Sequence, residues 1–343
     1  MSIGTQDTTY REKSMKLMPE DTDSVLVTGA GGYLGRQMVE ALAGQEAGKP
    51  SIAALDVREI APGERLPGVQ YVTCDIRSPD LTRVFSEISP RVVVHLASIV
   101  TPGKKADRAF EYSVDVEGTE NVLRACLHAS VQRIIVTSSG AAYGYHADSP
   151  ARLSETDPLR GNPEFAYSDH KRLVEEMLER YRQGHPQLGQ LVLRPGTILG
   201  KTTANQITAL FEKPFILGVR GAAIPFVFIW DKDVVACILK GIREGTTGIF
   251  NLAGDGVLTM KEIAHLLGKP YMPMPVSLLA SALWLLKKLG MTQYGPEQIN
   301  FLRYRPVLDN RRLKEEFGYI PEKTTREVFE YYLREKGILP GIL

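Results

Sequence analysis

The sequence predicts a doubly wound α/β fold: a parallel sheet with helices on both faces, followed by a smaller C-terminal α/β lobe. Three observations predict it. Short apolar, β-branched runs alternate with helical periods from residue 24 to about residue 200. The runs are almost continuously apolar, Val92-Val93-Val94 being the plainest, which suits strands covered on both faces. The first run opens directly onto a glycine cluster and then a helical period. A chain of 343 residues has room for one large domain and a lobe.

Residues 1–22 are polar and charged with no apolar period; they read as a disordered or loosely docked tail, not a secretory signal. Residues 23–200 form the expected nucleotide-binding domain, and residues 201–343 mainly a substrate lobe, with some segments returning to the first core. The first strand is Val25-Leu26-Val27, followed by Gly29, Gly31, Gly32 and Gly35, then by Met38, Val39, Ala41 and Leu42 at helical spacing. Glycines let the backbone turn tightly and approach a phosphate, and the free N–H groups of a helix start favour an anion. Strand, glycine turn and helix therefore point to a dinucleotide pyrophosphate.

The second strand, 51–55, closes on Asp56, about 20 residues past the turn, where an acid meets the adenosine ribose hydroxyls. Such an anion repels a 2′-phosphate and favours NAD over NADP, with Arg36 and Arg58 nearby acting against that preference. Further strands are expected over 69–73, 91–97, 133–138 and 190–194, with helices over 78–86, 106–129 and 164–182. In the lobe, 248–252 is a strand and 259–267, 276–289, 310–317 and 325–336 are helices. Residues 215–230 are rich in large apolar side chains, read mainly as strand and packed loop with some lining an apolar pocket. Asp231 and Asp233 are expected to cap the helix after them.

Composition narrows the function. Hydrophobic residues at 43% and charged residues at 24% are those of an ordinary globular chain. A net charge of +1 with no basic stripe argues against nucleic acid. Cys74, Cys126 and Cys237 lack metal-ligand spacing, so no metal site is expected, and reduced thiols fit a cytoplasmic protein. No apolar run reaches membrane-spanning length, so stable insertion is not expected. The best candidate, 276–289, reads as a core or interface helix, with a peripheral membrane helix as the alternative.

Two stretches carry chemistry. One is Thr137-Ser138-Ser139-Gly140, at the carboxyl end of the fifth strand, the edge that faces the crevice of an open sheet. The other is Tyr167-Ser168-Asp169-His170-Lys171, whose Tyr167 and Lys171 share a helix face. A phenol near pKa ~10 is a poor base at neutral pH. A neighbouring ammonium favours its phenolate. The pair could then move a proton to or from a substrate oxygen, held by Ser139, while hydride passes to or from the cofactor.

These motifs resemble those of the extended short-chain dehydrogenases/reductases, in the NAD-dependent epimerase/dehydratase family. The resemblance covers residues 24–336 and implies a Rossmann-type domain. Thr28-Gly29-Ala30-Gly31-Gly32-Tyr33-Leu34-Gly35 resembles the family's phosphate turn, implying pyrophosphate contacts at Gly29, Gly32 and Gly35 and at the Tyr33 and Leu34 amides. By the same resemblance Asp75 and Ile76 hold the adenine, and Leu96, Ala97 and Ser98 line the cofactor. Ser139, Tyr167 and Lys171 are then the catalytic set, and Pro195, Gly196 and Thr197 lie beside the nicotinamide.

Two departures bear on the substrate. Asp115 stands where many members carry an asparagine that orders a water chain to the lysine. Gly196 stands where nucleotide-sugar enzymes carry a diphosphate-binding asparagine. Arg194 is expected to serve the fold, leaving Arg303, Arg305 or Lys201 to meet a phosphate. The expectation is an NAD-dependent dehydrogenase or ketoreductase acting on a small molecule less polar than a sugar nucleotide. A UDP-sugar 4-epimerase is the alternative, and a non-catalytic dinucleotide sensor the third reading. The resemblance also implies a homodimer through the helices over 106–129 and 164–182, using Val174, Leu178 and Tyr181 among others.

Overall fold

The computed structural model describes residues 24–45, 50–100, 107–292, 295–296 and 298–338. The tail expected over 1–22 lies outside them. The chain opens as β1 (Ser24–Thr28), α1 (Tyr33–Ala43), β2 (Ser51–Asp56), β3 (Val69–Thr73), α2 (Leu81–Ile88) and β4 (Val92–His95). It continues as α3 (Arg108–Tyr112), a π-helical turn (Ser113–Glu117), α4 (Gly118–His128), β5 (Arg133–Thr137), α5 (Ala166–Gly184) and β6 (Gly189–Pro195). Next come β7 (Thr197–Leu199), α6 (Gln206–Phe211), β8 (Ile216–Val219), β9 (Pro225–Phe226), β10 (Phe228–Trp230), α7 (Asp231–Glu244) and β11 (Gly248–Leu252). The last elements are β12 (Leu258–Thr259), α8 (Met260–Leu266), β13 (Tyr271–Met274), α9 (Val276–Lys288), α10 (Gln298–Arg303), α11 (Arg311–Glu315) and α12 (Thr325–Glu335).

The main sheet has the order β11-β6-β5-β4-β1-β2-β3, parallel throughout. This is the doubly wound Rossmann arrangement. Its strand order reverses between β1 and β4, and the crevice opens outside their carboxyl ends. Side chains alternate between two cores. Val25, Val27, Val92 and Val94 enter one, and Leu26 and Val93 the other, which is why these strands are apolar at every position.

The lobe has a third core. Phe211, Phe226, Phe228, Phe329 and Tyr332 are its largest members, with Phe228 stacked on Phe226 at 5.6 Å and on Phe329 at 5.5 Å. The rings of 215–230 were expected to lend some surface to a substrate pocket. Instead Ile216, Val219, Ile224, Phe226 and Phe228 fill this core, and Val227 alone of that segment reaches the cleft described below. The two- to four-residue strands explain this: each side chain of a short, twisted strand faces whichever core lies nearest.

Two more expectations change. The helix expected over 106–129 is interrupted by the π turn, which rotates Asp115 toward β4; residue 106 lies outside the described residues. Asp231 and Asp233 do not cap α7, since Trp230 holds the cap position and both acids lie in the first turn. Their charge suits a helix start, and their oxygens bond elsewhere: Asp233 to the Tyr319 hydroxyl at 2.7 Å, Asp231 to the Tyr33 hydroxyl at 2.6 Å.

Candidate active site

A cleft of about 610 Å3 runs along the carboxyl edge of the sheet. The turn after β1 forms one end. Gly29 has φ +69°, and a Cβ there would lie 2.6 Å from the Ala97 nitrogen; at Gly35 it would lie 2.0 Å from the Gly29 carbonyl oxygen. Only glycine tolerates both positions. No side chain caps α1 and its first turn holds no acid, so the turn is a cradle open to an anion and fits a dinucleotide pyrophosphate. Asp56 is buried and accepts from the Gly31 nitrogen at 2.8 Å and the Arg58 nitrogen at 3.0 Å. It therefore braces the glycine turn from the end of β2.

Tyr33 leaves the same turn for the lobe. It donates to Asp231 and accepts from Thr203 Oγ1 at 2.9 Å. Beneath this seam lies Gly200, where a Cβ would come within 2.0 Å of Asp231 Oδ2 and 2.5 Å of the Tyr33 hydroxyl.

At the other end, Ser139, Tyr167 and Lys171 line the cleft together with Leu96, Ser98, Pro195, Gly196 and Thr197. Lys171 Nζ donates to the Thr137 carbonyl oxygen at 3.2 Å and lies 5.7 Å from the Tyr167 ring centre. Burial pushes the Tyr167 phenol up to about 12; Ser139 opposes that and Asp115 adds to it. Desolvation thus dominates, and the lowering expected from Lys171 is not among the causes of the shift in the protein alone. Burial also moves Lys171 below its ordinary value, against the charges of Asp115 and Glu175.

Asp115 is buried beside this pair. It accepts from Ser98 Oγ at 2.9 Å and the Ile99 nitrogen at 2.8 Å, and pairs with His170 Nδ1 at 3.1 Å. Burial would raise its pKa, but the His170 bond and the Lys171 charge hold it below the usual carboxylate range. A second cavity, of about 10 Å3, is lined by His95, Ser98, Asp115, Thr119 and Lys171 among others, room for about one water. On its wall His95 bonds Thr28 Oγ1 at 2.8 Å and Thr119 Oγ1 at 3.0 Å. Burial, helped by the Lys171 charge, drives its pKa down to about 3.

Of the residues expected at the site, Asp56, Asp75, Ile76 and Ala97 do not line the cleft. Asp75 is paired with Arg77 at 2.6 Å, Ile76 is buried in the second core, and Ala97 backs the glycine turn. Arg194 serves the fold as expected, fork to fork on Glu175 with both side chains buried. Lys201 is paired with Glu335 outside the cleft, and Arg303 is not on the lining. Arg305 is on it. Its Nη2 donates to Thr197 Oγ1 at 3.3 Å, its Nη1 is buried without a hydrogen-bond partner, and Phe226 and Phe301 lie 4.1 and 4.9 Å from the guanidinium carbon. No acid among the described residues pairs with it. Burial lowers its pKa.

Sequence reasoning missed the aromatic wall of Tyr145, Phe165 and Phe301, which pack ring against ring at 4.8–5.8 Å. Tyr145 and Phe165 flank the two chemical stretches in sequence, which was a usable signal. Phe301 had none.

The model of the NAD dependent epimerase/dehydratase family matches residues 25–253. The chain is 26% identical over 324 residues to a UDP-glucose 4-epimerase of Mycolicibacterium smegmatis, covering 88% of this chain and 95% of that one. It is 29% identical over 336 residues to the decarboxylating sterol-4-alpha-carboxylate 3-dehydrogenase of Saccharomyces cerevisiae, covering 87% and 93%. Among solved structures, the Bordetella bronchiseptica enzyme WbmG, in complex with NAD and UDP, superposes with a TM-score of 0.70 at 19% identity, over 94% of this chain and 96% of that one. The chain belongs to the NAD dependent epimerase/dehydratase family of enzymes, whose cofactor is NAD.

Proposed function

We propose that this protein is an oxidoreductase that interconverts a secondary alcohol and its ketone. Tyr167 acts as acid and base, Lys171 stands beside it, and Ser139 holds the substrate oxygen. The observation that carries the reading is the meeting of this triad with the glycine turn in one cleft. Residues 23–200 would hold the cofactor, with Gly29, Gly32, Tyr33, Leu34 and Gly35 at the pyrophosphate, Asp56 at the ribose, Asp75 and Ile76 at the adenine, and Pro195, Gly196 and Thr197 at the nicotinamide. When bound, NAD supplies the hydride acceptor or donor.

The chain supplies the proton. A phenol held near 12 is protonated at neutral pH and is ready to donate to a forming alkoxide. Oxidation needs the phenolate, and Lys171 is the cation available to favour it. Asp115 and Glu175 oppose the lowering that burial imposes on that lysine. Asp115 therefore replaces an asparagine dipole with a fixed charge, and the small cavity beside it is the route by which a water can relay the proton.

The substrate is inferred from the cleft walls. Tyr145, Phe165, Phe301 and Leu308 give apolar surface, and Arg305 gives one cation whose Nη1 is buried. A largely apolar alcohol carrying one anionic group satisfies both. A side chain at position 196 would place its Cβ 2.9 Å from the Val227 carbonyl oxygen, so an amide donor for a diphosphate has no space there. The Saccharomyces relative, named for a sterol carboxylate, fits this class. The second reading is a nucleotide-sugar 4-epimerase, favoured by Arg305 as a diphosphate partner and by the Mycolicibacterium relative. Thermal-shift screening with NAD present should show stabilisation by lipophilic hydroxy acids, less by their methyl esters, and little by UDP-hexoses. Turnover of the hydroxy acid should release NADH. UDP-glucose 4-epimerisation without NADH release would replace the first reading by the second.

A homodimer through α3, α4 and α5 belongs to the same proposal. Val174 and Leu178 are absorbed by the protein's own core, so the contact would rest on Phe110 and Tyr112, which are exposed. Sedimentation of a monomer at micromolar concentration would exclude it.

A further inference from the structure

His170 is 1% exposed, and the proton chemistry proposed above makes no use of it. It precedes Lys171 on α5. Neighbours on a helix point about 100° apart, so Lys171 faces the cleft while His170 faces the π turn that carries Asp115. The imidazole makes one hydrogen bond, from Nδ1 to Asp115 Oδ2 at 3.1 Å. Its Nε2 is buried with no hydrogen-bond partner, and the Tyr112 ring packs against it at right angles, 5.6 Å away. Glu111 of α3 interacts with it electrostatically, with no hydrogen bond between them. An ionised carboxylate can only accept, so Nδ1 carries the proton and donates.

The other histidine at the site is committed differently. Thr119 Oγ1 donates to the Asp115 carbonyl oxygen at 2.6 Å, so it must accept from His95 Nε2. His95 Nδ1 then accepts from Thr28 Oγ1. Both nitrogens of His95 are spent on hydroxyls. Among the described residues, His170 is the one imidazole bonded to the acid beside Lys171.

That bond completes the carboxylate. Asp115 Oδ1 takes Ser98 Oγ and the Ile99 nitrogen, whereas Oδ2 has His170 alone among the described residues. Burial raises the Asp115 pKa, and the His170 bond heads the contacts that bring it below the usual carboxylate range. A buried carboxylate stripped of its donor reverts toward its neutral form. The Asp115 charge acts upward on both Tyr167 and Lys171, so its loss would move both the same way, down.

We propose that His170 is the positioning residue of the Tyr167–Lys171 pair, its Nδ1–H holding the Asp115 carboxylate ionised and in place beside Lys171. The inference rests on the reading of that pair as the proton-handling groups, and not on the class of substrate.

The test counts the protons released when NAD binds. The oxidised nicotinamide ring is a cation, and a cation beside Tyr167 and Lys171 drives protons off them. The full chain is titrated calorimetrically with NAD in buffers of different ionisation enthalpy, across about pH 6 to 10, which gives the pH of half-release. His170→Phe should lower that midpoint by about one unit. His170→Leu should do the same and serves if the phenylalanine variant does not fold. His170→Asn keeps an N–H donor toward Asp115 and should restore the wild-type midpoint. Asp115→Asn should lower it as well, and His170→Phe added to Asp115→Asn should move it no further. A midpoint that the phenylalanine and leucine variants leave in place overturns the inference while keeping the pair. So does a further fall in the Asp115→Asn background, or an asparagine variant that falls as far as the phenylalanine one. Release that persists unchanged in both Tyr167→Phe and Lys171→Ala refutes the reading of the pair itself, and the inference with it.

Discussion

Glu175→Gln should cost more stability than its modest change in shape suggests. The Glu175 carboxylate accepts from Arg194 Nε at 2.8 Å, from Arg194 Nη2 at 2.6 Å and from Ser138 Oγ at 2.5 Å. Arg194 is itself buried, and its Nη1 donates to the Tyr143 hydroxyl at 2.7 Å. Glutamine keeps the volume but removes the charge and turns an NH2 toward a guanidinium. Breaking a buried pair from one side costs about 3–5 kcal/mol, because the remaining charge is stranded. For a chain of this size that is on the order of 10 °C in melting midpoint. Ser138 precedes Ser139, so the strand end that carries the proposed substrate hydroxyl should also loosen and turnover should fall. The assay is urea unfolding of wild type, Glu175→Gln and the double variant Glu175→Leu with Arg194→Met. The double variant should lie closer to wild type than the single one does. A loss under about 1 kcal/mol in the single variant, or a double variant worse than the single, would refute the reasoning.

Tyr167→Phe should abolish turnover and leave the NAD dissociation constant nearly unchanged, whereas Lys171→Ala should weaken both; retained activity in Tyr167→Phe would remove the assigned acid/base. Because the phenol sits near 12, oxidation of the alcohol should rise with pH between about 7 and 9 while ketone reduction stays flat, a rise about tenfold per pH unit in the simplest case. His95 takes up its proton only near 3 when folded and near ~6.5 when unfolded. The unfolded chain therefore binds the extra proton, and stability falls as pH drops through that window, by up to about 1.4 kcal/mol per unit. Denaturation at successive pH values should show that slope flattened in His95→Gln, and an equal slope would assign it to other groups. Calorimetry should find NAD bound more tightly than NADP, since Asp56 lies buried against the turn; parity would mean that Arg36 and Arg58 outweigh it.

The nucleotide-binding half was legible because its signals are local. Val25 to Val27, the glycines and the period of α1 sit within a few residues of one another, and the four-residue step from Tyr167 to Lys171 needs only helix geometry. What escaped depends on partners far away in the chain. Glu175 meets Arg194 across a helix and a strand, and Asp231 meets Tyr33 across 198 positions. Asp115 was singled out in the sequence, but the π turn that carries it and its contacts with Ser98 and His170 were not legible there. In the lobe, strands of two to four residues are too short for a period to state which face is inward. Residues 215–230 were therefore readable as mainly packed, but not which of them, Phe226 and Phe228 in the core or Val227 on the cleft, faced which way. Arg305 differs from the solvated arginines around it only through its surroundings.

The Tyr33 seam makes the two ends of the cleft one mechanical unit. The residue that follows the glycine turn is anchored to Asp231 and Thr203, and Gly200 leaves no slack beneath it. Occupancy of the turn must then bias the loop that carries Thr203, whose residues 202–205 also line the cleft. Thermodynamic reciprocity requires the same bias in return: whatever cofactor does to substrate affinity, substrate does to cofactor affinity. A coupling within the usual range of about 1–3 kcal/mol, or 5- to 150-fold, would impose an order on the kinetics, with cofactor arriving first and leaving last. Tyr33→Phe, by cutting the tether and sparing the ring, would make the order of arrival random.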